Sequence, residues 1–172
     1  MIRPFKGISP KIAESAFIAE GAVVIGEVTI GKEASIWYNC VVRGDVNFIS
    51  IGERTNIQDG TIVHVATADG PTLIGNDVLI GHAAIIHGCT LEDGCFIGMA
   101  ATVMDNAVVE REAMVAAGAL VTPGKRVKAR QLWAGAPAKF MRELTEIEVA
   151  QMKVQTARYA DLADAYRTLL AQ

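Results

Sequence analysis

An aliphatic residue recurs at every sixth position along most of the chain, and this period restricts the fold more than any other feature. Ile12, Ile18, Val24, Ile30, Ile36 and Val42 form one run. After a jump of nine the series resumes at Ile51, Ile57 and Val63. A jump of eleven leads to Ile74, Ile80 and Ile86, and a step of five to Leu91, Ile97, Val103, Val109, Val115, Val121 and Val127. Small residues commonly stand two places earlier, as at Ala34, Cys40, Thr55, Thr61, Ala84 and Ala101. Six is neither the 3.6-residue period of an amphipathic helix nor the two-residue alternation of a hairpin. It fits a short strand, a turn and another short strand. Three such units close a triangular coil of about eighteen residues whose neighbours hydrogen-bond to it and bury a continuous core. The expected fold is therefore all-β, a left-handed parallel β-helix of hexapeptide repeats. The aliphatic residue points inward and the small residue fits the corner.

The pattern stops after Val127. Residues 133–139, WAGAPAK, read as a Gly/Pro turn leaving the coil. Thr145 and Glu148 have the spacing of a helix capping box. Met152, Thr156, Tyr159, Leu162, Tyr166 and Leu169 then recur at three and four residues. This predicts one helix over about 145–170, its apolar stripe lying along the outside of the β-helix. We expect one domain, with the β-helix over 1–132 and the turn and C-terminal α-helix over 133–172.

Composition narrows the function classes. Apolar residues make up 51% and charged residues 20%, a surplus that a core or an interface must bury. The longest stretch free of Asp, Glu, Lys and Arg runs from Val78 to Leu91 and contains two histidines, too short for a membrane span of about 18–20 residues. The start, MIRPFKG, has no basic segment leading into an apolar one, so no signal peptide is read. Three cysteines, an odd number, argue against a secreted disulfide framework. All three occupy the small-residue position. A cytoplasmic protein is expected. With a net charge of −3 and no basic run, nothing points to nucleic acid or to a membrane surface.

The chain has three histidines, His64, His82 and His87, within one short window. His64 follows Val63 and His87 follows Ile86, so both take the outward position after the inward aliphatic residue. If Ile51, Ile57 and Val63 mark the three faces of one coil, Ile74, Ile80 and Ile86 mark the same faces of the next. His64 and His87 then lie on one face, one rung apart, at the strand spacing of about 4.8 Å. Two imidazoles at that separation can converge on one metal. His82 lies on the preceding face beside its corner and cannot readily turn to join them. A three-fold neighbour could present it. Three histidines with an open position make a catalytic zinc arrangement.

Several segments resemble the γ-class carbonic anhydrases over about residues 10–170. They are Ser35-Ile36-Trp37, Val42-Arg43-Gly44-Asp45-Val46-Asn47, Thr55-Asn56-Ile57-Gln58-Asp59-Gly60, His64, Ile80-Gly81-His82, Ile86-His87-Gly88-Cys89, Ile97-Gly98-Met99 and Gly135-Ala136-Pro137-Ala138-Lys139. The last element is shared with hexapeptide acyltransferases. The resemblance implies a homotrimer in which His64 and His87 bind metal from one subunit and His82 from its neighbour. It implies Gln58 and Asn56 beside the bound water, Tyr159 approaching the same pocket, and Arg43, Asp45 and Asp59 in charged contacts across the trimer interface. The implied reaction is reversible hydration of CO2 to bicarbonate by hydroxide on the metal. Zinc is the default, and iron or cobalt, as Fe2+ or Co2+, suit the same ligands.

The sequence departs from that family in two places. Well-characterised active members carry an acidic loop after the first histidine, with a glutamate that relays protons. Residues 65–73 here read VATADGPTL, with Asp69 as the sole acid. A second family glutamate, after the Asp of the RGD-like segment, is Val46 here. Turnover needs an exit for the product proton, so weak, buffer-dependent hydration is expected. The alternatives are an acyltransferase with a lone histidine base, a metal-dependent hydrolase such as a thioesterase, and a non-catalytic trimeric assembly protein.

Overall fold

The structure, a computed structural model, describes residues 1–67 and 70–170. The chain winds as a three-sided parallel β-solenoid of hexapeptide repeats, as expected. One face carries the inward residues Val24, Val42, Val63, Ile86, Val103 and Val121, in register rung to rung. The next carries Ile12, Ile30, Ile51, Ile74, Leu91, Val109 and Val127. The third carries Ile18, Ile36, Ile57, Ile80, Ile97, Val115 and Trp133. All members of the six-residue series except Ile12 and Ile18 are at most 3% exposed. Those two sit at the N-terminal end, where fewer rungs cover them. The small residues turn inward at the corners, and at three of these places a larger one, Val28, Ile49 or Val78, is buried instead. Where threonine takes that place it also joins rungs: Thr61 Oγ1 donates to Gly81 O at 3.1 Å and accepts from Ala84 N at 3.2 Å.

Regularity breaks at one corner in three successive coils. Between the first and second faces, residues 45–48 bulge where the preceding coil has only Glu27. The excursion after His64 occupies the same corner one rung on, and the short five-residue step at Gly88 the next. Two strands, Val23–Ile30 and Val41–Ile51, run through this corner without interruption.

The C-terminal end differs from expectation in two respects. The last parallel strand is Gln131–Ala134, so Trp133 still belongs to the coil. A strand over Lys139–Glu143 then returns antiparallel to it. The helix spans Glu146–Leu170, and the capping box forms: Thr145 N donates to Glu148 Oε2 at 2.9 Å and Glu148 N to Thr145 Oγ1 at 3.2 Å. It lies on the third face, across strands Phe17–Ile18, Ser35–Ile36, Asn56–Ile57 and Leu79–Ile80. Val149, Met152, Thr156 and Ala163 are the buried residues of its stripe. Leu162 and Leu169, expected there, face solvent at 43% and 64% exposure. At 100° per residue both fall roughly a quarter-turn from the line through Met152 and Ala163. No helix among the described residues is long and apolar enough to cross a membrane.

Candidate functional site

The coil brings His64 and His87 together as the register requires. They are direct ladder partners. Their ring centroids lie 5.1 Å apart, and His64 Nδ1 faces His87 Nε2 at 3.1 Å. Each ring's other nitrogen meets a carboxylate. His64 Nε2 pairs with Asp45 Oδ1 at 2.9 Å, and His87 Nδ1 pairs with Asp105. Asp45 also receives Arg43. Burial works against the Asp45 charge, but the hydrogen bonds from His64 and Arg43 outweigh it and hold the carboxyl below its usual range.

These contacts fix the chemistry of the pair. A neutral imidazole has one N–H and one lone pair. In the tautomers that give the N–H of each ring to its carboxylate, two bare nitrogens face one another. Such nitrogens attract a shared cation, and metal-ligating histidines characteristically donate their second nitrogen to a carboxylate or carbonyl. Two nitrogens each about 2.0–2.1 Å from a tetrahedral ion stand roughly 3.3 Å apart. The donor set therefore fits a transition metal.

His82 is elsewhere. It stands two places after Ile80 in the corner turn that leads from the third face to the histidine face, with Ala83 beside it at φ +57°. It is 45% exposed, with Nδ1 2.9 Å from Asp59. Among the described residues, no group of three or more His, Cys, Asp or Glu within the chain is placed to hold a metal. Beside His82 lies a cavity of about 480 Å³ lined by Gln58, Gly81, Phe96, Gly98, Met99 and Tyr159, among others. Gly81 and Gly98 let the rungs stack closely at its wall: a Cβ on either would meet backbone of the next rung at 2.7 Å and 2.4 Å.

Gln58 and Asn56 face the same side of one strand, and Gln58 Nε2 donates to Asn56 Oδ1 at 3.2 Å. Asn56 Nδ2 is buried with no hydrogen-bond partner among the described residues. Tyr159 packs edge-on against Trp37, ring centroids 5.8 Å apart. Burial, and secondarily Asp59, pushes its hydroxyl up. Thus Arg43, Asp45, His64 and His87 gather at one end of the histidine strands, and Gln58, Asp59, His82 and Tyr159 about the end of the third face, where the helix covers it. Asp45 and Asp59, expected in contacts between subunits, each bind a histidine of their own chain. Asp69 lies outside the described residues. Asp105 was not anticipated. The face count alone misses it, because the position equivalent to His87 one rung past Ile86 is Met104 and Asp105 lies one place further on.

No family model matches the chain. Among curated proteins it is 41% identical to a carbonic anhydrase of Geobacillus kaustophilus, covering all of this chain and 94% of that one. It is 50% and 52% identical to gamma carbonic anhydrases 1 and 2, mitochondrial, of Arabidopsis thaliana over 92% of its length, and spans 59% of theirs. The chain belongs to the γ-carbonic anhydrase family. Membership of this family implies a metal cofactor, in keeping with the donor set at His64 and His87. Two solved structures share the coil. A hexapeptide transferase family protein from Anaplasma phagocytophilum is 50% identical with a TM-score of 0.93, covering 96% of this chain and 98% of its own. A putative acetyltransferase from Bacillus cereus is 39% identical with a TM-score of 0.96, covering 98% of each.

Proposed function

We propose that the chain catalyses reversible hydration of CO2 to bicarbonate as a homotrimer, with zinc held by His64 and His87 of one subunit and His82 of the next. The observation that carries this reading is the pair of ring nitrogens facing one another at 3.1 Å, the other nitrogen of each ring meeting a carboxylate. Fe2+ and Co2+ suit the same ligands. Zinc at such a site supplies Lewis acidity, bringing the ionisation of water to about pH 7.

The remaining tasks belong to the chain. Asp45 holds the ring of His64, and Asp59 that of His82. With Nε2 committed to Asn56, Gln58 has its carbonyl oxygen left to accept a hydrogen bond, and so orients the attacking water. The cavity wall of Gly81, Phe96, Gly98 and Met99 suits an uncharged, weakly polar substrate. Tyr159 borders the same cavity. Ile62 and Ile85, 45% and 42% exposed, flank the histidine pair and favour cover by a second copy. That copy brings His82, and Arg43, Asp45 and Asp59 border the contact. The proton leaves by buffer, since exposed Val46 stands where an acid would serve. A cytoplasmic location is part of this proposal, supported by three buried free cysteines; burial pushes the Cys40 thiol up to about 11.

An acyltransferase remains the second reading because of the transferase names of the two solved relatives. A lone histidine base would not call for three histidines each paired with a carboxylate. The test is stopped-flow CO2 hydration by metal-loaded protein, beside thioester hydrolysis and acetyl transfer. We expect about one metal per subunit, emptied by alanine at His64, His82 or His87. Metal retained in all three single variants would sink the assignment. Full metal with no hydration would move the function to a hydrolase or an assembly protein.

A further inference from the structure

We infer that Asp105 is a positioning residue for the metal centre, fixing the tautomer and rotation of His87 so that only Nε2 is offered to the metal. This rests on the metal reading above and deepens it. Asp105 stands one rung beyond His87, two places after Val103, the ladder partner of Ile86. Its carboxylate accepts from His87 Nδ1. A ring nitrogen that carries a proton for a carboxylate cannot also bind a metal, so coordination falls to the other nitrogen. That nitrogen is the one 3.1 Å from His64 Nδ1. Asp45 holds His64 from the opposite direction. Asp45, His64, His87 and Asp105 thus come from four consecutive rungs and form one line along the solenoid axis. The outer carboxylates impose opposite tautomers on the two inner rings, Nδ1 bare in His64 and Nε2 bare in His87.

The corner is shaped for this contact. Gly88 has φ +53°, and a Cβ there would stand 2.8 Å from Asp105 Oδ1. The backbone on either side of the carboxylate is tied down: Asn106 N donates to Gly88 O at 2.7 Å, and Gly124 N to Asp105 O at 2.9 Å. The aspartate therefore reaches His87 from a fixed platform over a residue that has no side chain to obstruct it.

The test uses full-length chains carrying Asp105→Ala, Asp105→Ser, Asp105→Asn or Gly88→Ala, with Asp161→Ala on the helix as a charge control. Zinc affinity is read by chelator competition, site geometry by the visible absorption of the Co2+ form, and integrity by thermal melting. Asp105→Ala and Asp105→Ser should bind zinc about 10–100-fold more weakly and alter the Co2+ spectrum. Asp105→Asn, whose amide oxygen can still accept from Nδ1, should restore part of the affinity. Gly88→Ala should weaken binding with Asp105 still present, and Asp161→Ala should change nothing. Zinc affinity within about twofold of the parent, with an unchanged Co2+ spectrum, in whichever of the Ala and Ser variants folds overturns the inference. A parent chain that binds no metal, or a His87→Ala chain that binds it equally well, fails the metal reading instead.

Discussion

Gln58 shows how far single residues could be read in advance. Its outward position follows from Ile57 pointing in. Its shared cavity with His82 follows from Ile80 being the next residue on that face. Because Gln58 is assigned to water and not to metal, Gln58→Ala should leave metal content unchanged while lowering kcat/KM about 10–100-fold, the cost of one hydrogen bond to a charged group. Metal analysis beside stopped-flow hydration on the same sample checks both halves. His64 and His87 were legible because ladder partners share one offset from the inward residue. Asp105 was not, because it meets His87 from a different offset, two places after its inward residue where His87 is one. Tyr159 belongs to both readings made of it, packed on Trp37 and lining the cavity.

At the scale of elements, the helix start was legible and its buried face only in part. Thr145 and Glu148 announce the cap because the chemistry is local. The stripe was misassigned at Leu162 and Leu169 because apolar residues also occupy the outer face, as at Ile147 and Val154, and spacing alone does not say which side meets the coil. The strand Lys139–Glu143 left no trace in the sequence: all five residues are exposed, and what holds it is the backbone ladder with surface polar contacts, Gln131 Nε2 to Glu143 Oε1 and Arg142 to Glu148, none of which leaves an apolar pattern. The cap carries a pH signature. Arg142 first, then the Thr145 amide, holds the Glu148 carboxyl down at about 2 against 4.5. A carboxylate whose folded value is depressed contributes stability above its unfolded value and loses it as pH falls. Glu148 should therefore support helix docking above about pH 4.5 and cease to do so as pH falls toward about 2. In acid titrations followed by tryptophan fluorescence or circular dichroism, Glu148→Gln should lessen the loss of stability across that window. An unchanged acid transition would contradict the assignment.

At the scale of the molecule, the solenoid was the most legible feature, because each rung repeats one constraint and the repeats corroborate one another. The assembly follows from where the histidines fall. Chains carrying His82→Ala and chains carrying both His64→Ala and His87→Ala should each bind little metal alone, yet regain sites when refolded together. Metal analysis of the mixture decides this, and no regain would count against a shared site. Proton export should be the slow step. The hydration rate should then rise with the concentration of an imidazole-type buffer, whereas a fast rate indifferent to buffer would mean that a relay exists, Asp69 and Tyr159 being the first to test by substitution.

The three irregular steps all fall at one corner of three adjacent coils, beside the histidine pair, while the other corners keep strict time. Interior packing there depends on Val42, Val63 and Ile86 and not on what loops out between faces. The rim can therefore be lengthened, shortened or made acidic while the barrel of aliphatic rungs stays intact. Such an arrangement separates inheritance of the scaffold from tuning of its speed, and makes this corner the natural graft point for an engineer who wants a faster catalyst.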